Sequence, residues 1–177
     1  MITKNDIEKC FPELKWIKDT RLREQVALVW KTAADQGRWT QLKDVPFTLL
    51  IKNSGSLVEH TKRITHLVKS VMDTREEPLQ RDYLIAGALL HDVGKLLEYE
   101  VAGDQVVVSD FGKKMRHPVS GANLAQDHGL PKEVVHIIYA HSKEGDTIER
   151  TPEAIIVHHC DFIDFDIKKA LLGKRQG

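Results

Sequence analysis

The chain has 177 residues, 41% of them hydrophobic and 29% charged, enough to bury the core of one soluble domain without disulfides or structural zinc. Its 26 basic and 26 acidic residues cancel. No global positive field is therefore available to hold a polyanion by phosphate neutralisation, and nucleic acid is not an expected partner.

The opening stretch, MITKNDIEKCFPELKW, has no apolar signal region. No apolar run anywhere approaches the ~20 residues of a membrane span, so a cytoplasmic protein without a membrane partner is expected. Cys10 and Cys160 form no CxxC pair and are expected to be reduced thiols. Leu22, Val26, Val29, Trp30 and Ala33 recur at helical spacing over residues 20–36, and Gly37 follows as a stop signal. Residues 38–55 read as a connection or short helices. Residues 1–50, with Trp16, Trp30 and Trp39, are expected to be a helical extension or lid packed on the same domain, which residues 51–177 make up.

Ser56 and Glu59 form a capping box ahead of the apolar stripe Leu57, Ile64, Leu67, Val68, Val71 and Met72. Residues 79–93 predict a central helix, nearly all apolar in its second half, with Gly94 as terminator. EYEVAGDQVVVS predicts a hairpin near residues 98–108, turning at Gly103-Asp104. Pro118 is placed at a first helical position with Gly129 closing that helix, Pro131 starts another, and Thr151-Pro152 begins a last helix to about Leu172. Runs of helices with one small hairpin imply an all-α domain.

Ligand-type residues punctuate these helices. His60 shares the stripe of Leu57, Ile64 and Leu67; His91 and Asp92 end the central helix; His117, before Pro118, falls at a cap. His141 continues the face of Val134, Ile137 and Ile138, and Asp161 shares a face with Ala154, His158 and Phe165. One inward histidine is ordinarily a hydrogen-bonded core residue. Six such groups without partners would cost several kcal/mol each, so a shared partner is expected, and a divalent metal supplies it.

The order His60, His91-Asp92, His117, His141, Asp161 resembles that of the HD-domain metallohydrolases, and HDVGK resembles their HDxGK signature. The resemblance spans residues 50–172. GSLVEHT, LIAGALLHDVGK, HPVSGANL and TPEAIIVHHCDFID are similar to segments of these proteins, particularly the HD domains of bacterial 3′-to-5′ exoribonucleases. It implies an HD-domain helical bundle with two divalent transition-metal ions. His60, His91, Asp92 and Asp161 would hold one, and Asp92, His117 and His141 the other, with Asp92 bridging. Such an imidazole-rich set suits Fe, Mn, Co, Ni or Zn better than Mg or Ca.

It further implies a metal-dependent phosphohydrolase. A hydroxide bridging the ions would attack a phosphomonoester or phosphodiester in a small phosphorylated molecule, a nucleotide above all. Asp92 and Lys95 are the catalytic candidates, Lys95 stabilising charge on the phosphate oxygens. His158, one turn before Asp161, is a candidate substrate contact, general acid or orienter, and Arg63, one turn after His60, a candidate anion contact. His159 and Asp164 carry weaker expectations, and His66, His128 and His136 are assigned to structure.

SKEGDTIER after His141 lacks the second histidine and GYP-type loop of cyclic-di-GMP phosphodiesterases, which disfavours that substrate. The nucleic-acid-binding domain of the exoribonuclease relatives is not expected within these 177 residues, nor is a processive RNA-degrading role. Two other readings share the ligand set: an HD-type di-iron oxygenase, and a non-catalytic nucleotide-sensing module whose first fifty residues would form a lid or the subunit interface of a homodimer. Lys95 in HDxGK favours phosphate chemistry.

Overall fold

A computed structural model describes residues 2–172. The helices are α1 (Lys4–Cys10), α2 (Thr20–Gln36), α3 (Leu57–Asp73), α4 (Arg81–Leu90), α5 (Lys95–Glu98), α6 (His117–Asp127), α7 (Lys132–Ala140) and α8 (Pro152–Leu172). The one sheet among the described residues is a hairpin of β1 (Tyr99–Ala102) and β2 (Gln105–Val108), paired Tyr99↔Val108 to Ala102↔Gln105. Gly103 takes a φ of 61° at its turn, a conformation that a residue with a Cβ adopts only with strain.

The apolar α4 is the central element, packed on α2, α3, α7 and α8. Gly87 makes the α7 contact close, because a Cβ there would lie 2.5 Å from Ile137 Cγ2. The first fifty residues join the same core: Ile7, Phe11, Val26 and Trp30 are buried with Leu89, Leu90 and Ile138. Trp30 Nε1 donates to the Leu89 carbonyl (2.9 Å) and Trp39 Nε1 to that of Leu96 (2.8 Å), so two buried indoles grip the chain on either side of HDVGK.

Several local expectations are corrected. Helix α4 stops at Leu90 rather than 93, and a tight turn follows, with Val93 N bonded to Leu90 O and Lys95 N to Asp92 O. This turn brings His91 and Asp92 to one side. Gly94 has φ −62°, so it is no left-handed terminator. It is needed because a Cβ there would lie 2.2 Å from the His117 carbonyl and 2.7 Å from Ser120 Oγ, where α6 lies against the turn.

His117 occupies the first helical position, Arg116 caps, and Pro118 comes second. The Glu98 carboxylate accepts from the His117 backbone N–H at 2.5 Å, doing the work expected of a cap. Only one arm of the predicted capping box is formed, from Glu59 N–H to Ser56 Oγ (3.3 Å), while the Glu59 carboxylate lies 4.0 Å from Lys62 Nζ. Leu67 is 36% exposed because the buried stripe of α3 runs through Leu57, His60, Thr61, Ile64, Val68 and Met72, leaving it on the flank.

Candidate metal centre

The six ligand-type residues come from α3, the α4–α5 turn, α6, the end of α7 and α8, and converge on one point. All but Asp161 are buried as whole residues, and the Asp161 side chain is 15% exposed. Asp92 stands between two groups. Its Oδ2 is 3.3 Å from His60 Nε2 and 3.5 Å from His91 Nε2, with Asp161 Oδ1 3.1 Å from His60 Nε2. Its Oδ1 is 3.2 Å from His117 Nε2 and 3.5 Å from His141 Nε2. With metal–ligand bonds of about 2.0–2.2 Å, neighbouring ligand atoms stand roughly 3–3.5 Å apart. These separations therefore fit the edges of two coordination polyhedra that share Asp92.

Every imidazole is turned with Nε2 toward that point because its Nδ1–H is tied behind. His91 and His141, each the first residue beyond its helix, donate to the i−3 carbonyls of Ala88 (2.7 Å) and Ile138 (2.6 Å). These carbonyls belong to last turns, which lack helical donors. His60 donates to Asp164 Oδ2 (2.7 Å) and His117 to Glu98 Oε2 (2.7 Å). Such partners set tautomer and ring orientation for a ligand histidine. Arg63 holds Asp164 in a two-pronged pair (2.7 and 2.8 Å), and Phe47 stacks on the His60 ring at 3.8 Å.

The electrostatics call for positive charge. His60 Nε2 and His91 Nε2 are 3.1 Å apart, so two lone pairs face each other unless a cation or a proton lies between them. Burial alone would lower the His60 pKa; hydrogen bonds with Asp161, Asp164 and Asp92 outweigh it and raise it to about 9. Burial likewise opposes ionisation of Asp92, yet Lys95 and the surrounding histidines hold its carboxyl well below the usual range. His117 is pushed down by burial, toward the neutral form that coordinates metal. Asp92 Oδ1 and His141 Nε2 are buried without a hydrogen-bond partner. Orphaned atoms of this kind are costly unless something coordinates them, so the residues fit a bound metal pair.

The cluster forms the floor of a cavity of about 420 Å³, lined by Asp92, Asp161 and His117 at the bottom, with Lys95, Arg116, Lys143 and Lys169 around it and Phe47, Phe162 and Phe165 among its apolar walls. Lys95 is buried, its Nζ donating to Asp92 Oδ2 (2.6 Å) and to the Phe47 carbonyl (2.8 Å). It is thus no solvated helix-end lysine. Burial lowers its pKa, but Asp92, Tyr99 and Asp161 together more than compensate, and the ammonium is retained.

Arg63 lies elsewhere, in a groove between α3 and α8, with its guanidinium engaged by Asp164. It supports His60 from behind, and its place as an anion contact is corrected accordingly. His158 is not among the cavity-lining residues; its Nδ1–H donates to the His141 carbonyl (2.7 Å). Burial lowers its pKa.

Glu98 and Phe47 carried no expectation from sequence. Glu98 sits in HDVGKLLE at an i+3 spacing from Lys95, and only the structure shows it to be buried. Phe47 offers no sequence signal, since it reaches His60 through the loop closed by the Pro46–Ser56 bridge.

The model of the family described as "HD domain" matches residues 57–166. Dihydroneopterin 2′,3′-cyclic phosphate phosphodiesterase of Methanocaldococcus jannaschii is 29% identical over 175 aligned residues, covering 91% of this chain and 70% of that protein. Ribonuclease Y of Thermosipho melanesiensis is 33% identical over 98 residues, and that of Thermobifida fusca 41% over 76. These two matches cover 55% and 43% of this chain but only 16% and 12% of the respective relatives. No solved structure gives a significant match.

Proposed function

The chain belongs to the HD domain family, as an HD-type metal-dependent phosphohydrolase, and we propose that it opens a phosphodiester, with cyclic phosphates foremost, in a small phosphorylated molecule of nucleotide type. One observation carries the reading: the two oxygens of Asp92 address separate histidine groups at the floor of a cavity ringed by cations. The likeness to a relative named as a cyclic phosphate phosphodiesterase supports the diester preference. Limited coverage of ribonuclease Y gives no reason to extend RNA cleavage to this chain.

When bound at these ligands, a pair of transition-metal ions supplies the Lewis acidity that lowers the pKa of water and neutralises phosphate charge. His60, His91, Asp92 and Asp161 would hold one ion, and Asp92, His117 and His141 the other. We propose Fe or Mn as the native pair, with Co, Ni and Zn as alternatives the imidazole-rich set also accepts.

The chain's own groups do the rest. Lys95 has three N–H bonds, two of them committed to Asp92 and the Phe47 carbonyl. The third can meet a non-bridging phosphate oxygen in the cavity, where fixed charge acts without reorganisation. Asp164 and Glu98 keep protons on the Nδ1 atoms of His60 and His117, leaving Nε2 free to coordinate. Among the described residues no helix is long and apolar enough to cross a membrane; a cytoplasmic homodimer belongs to the same proposal.

The test is hydrolysis of nucleoside 2′,3′-cyclic phosphates and phosphomonoesters by protein loaded with each metal. Turnover that EDTA abolishes and added metal restores is expected, faster on the cyclic diesters than on monoesters. Activity with redox-inert Zn²⁺ separates hydrolysis from oxygenase chemistry. Inertness toward every substrate with every metal contradicts the reading.

A further inference from the structure

Resting on the phosphodiesterase reading above, we propose that the substrate carries two features besides its scissile phosphate: a planar ring received by Phe165, and a second anionic group held by Lys169. The argument starts from the spacing along α8. Asp161, Phe165 and Lys169 are successive i+4 positions of one helix, hence on one face, and all three line the same cavity. At ~1.5 Å of rise per residue, Phe165 stands about 6 Å and Lys169 about 12 Å along the axis from the metal-facing carboxylate. The helix thus leads from the reacting centre, past an aromatic ring, to a cation.

Phe165 is only half-buried, although it stands edge-on to Phe47 (6.2 Å, 74°). Phe47 in turn stacks on His60, so the ring's place is fixed relative to the centre. Phe162, also half-buried, extends the aromatic surface on the same wall. Partly exposed rings in a water-facing cavity offer a stacking platform that accepts any flat heterocycle. Arg116 shares its charge with Glu98 and Glu144 (3.8 and 3.5 Å). Lys169 forms no ion pair among the described residues and is exposed at the cavity's outer end, where an incoming anion meets it. A nucleoside 2′,3′-cyclic phosphate with a 5′-phosphate carries all three groups on one ribose, the base and the 5′-phosphate branching from the carbons on either side of the cyclic diester, so that one branch can meet Phe165 and the other Lys169.

Three substrates test the inference on the metal-loaded protein: ribose 2′,3′-cyclic phosphate, adenosine 2′,3′-cyclic phosphate, and the latter with a 5′-phosphate. The wild type should gain about tenfold in kcat/KM with the base and a further several-fold with the 5′-phosphate. Lys169→Gln should erase the second gain through KM, with kcat unchanged, and leave the first two substrates as they were. Phe165→Leu, with metal content equal to wild type, should erase the first gain. Equal kcat/KM for all three in the wild type, or a uniform loss across all three in Lys169→Gln, overturns the inference while the hydrolase reading stands. A wild type inert toward all three overturns that reading and this inference with it.

Discussion

Asp92→Ala should reduce hydrolysis by on the order of a thousandfold or more, and should remove both metal ions rather than one. The reason is positional. Each oxygen of Asp92 serves a different histidine group, whereas Asp161 Oδ1 lies near the Nε2 atoms of His60 and His91, and His141 Nε2 near Asp92 Oδ1, its ring packed between those of His91 and His117. Asp161→Ala should therefore cost the first ion and His141→Ala the second, each leaving the other group intact. The substitution at Asp92 also leaves Lys95 buried without its carboxylate, and breaking a buried pair costs about 3–5 kcal/mol. Circular dichroism must accompany the assay, and Asp161→Ala, which leaves the Lys95 pair in place, gives an inactive variant without that penalty. Metal analysis and initial rates check the set. Full metal content and activity in Asp92→Ala would contradict the bridging assignment.

Glu98→Gln and Asp164→Asn should weaken metal affinity about 10- to 100-fold without touching a ligand. Both carboxylates are held below the ordinary range. Burial raises each pKa, but the hydrogen bonds and charge of His117 together with the charge of Arg116 outweigh it for Glu98, and the combined hydrogen bonds and charges of Arg63 and His60 outweigh it for Asp164, which lies very low. They are therefore charged acceptors at neutral pH, and an amide in their place keeps the shape while losing the charge that makes the opposite ring nitrogen more basic. Glu98→Gln should act on the second ion through His117, and Asp164→Asn on the first through His60. Excess metal should restore activity in both, measured as rate against free metal concentration. Unchanged metal dependence would show that these contacts only pack the fold.

The ligand positions were legible because a metal site needs costly groups on inward faces, and His60, His91, Asp92, His117, His141 and Asp161 stand out against apolar neighbours. The hairpin was legible from Gly103-Asp104 between apolar runs, and the all-α character from helical periodicity. What escaped depends on chain meeting chain. Glu98 gains meaning only when α6 returns to α5 and brings His117, 19 residues later, onto its carboxylate. Gly94 reads as a terminator in sequence, yet its cause is the His117 carbonyl packed against it. Arg63 looks like a free helix-face cation until α8 delivers Asp164 from 101 residues away. The end of α4 reads too late in the sequence because Val93 falls at helical spacing from Leu89 and Leu90, beyond His91 and Asp92, whereas the backbone has already tightened into i+3 bonds there.

The central claim is that these six side chains surround two cations. Metal analysis of the protein, purified without chelators and then titrated with Mn²⁺ or Fe²⁺ under anaerobic conditions, tests it most directly. Saturation at two ions per chain is the expected result. A chain that takes up none, while His60, Asp92 and Asp161 remain unmodified, would contradict the account.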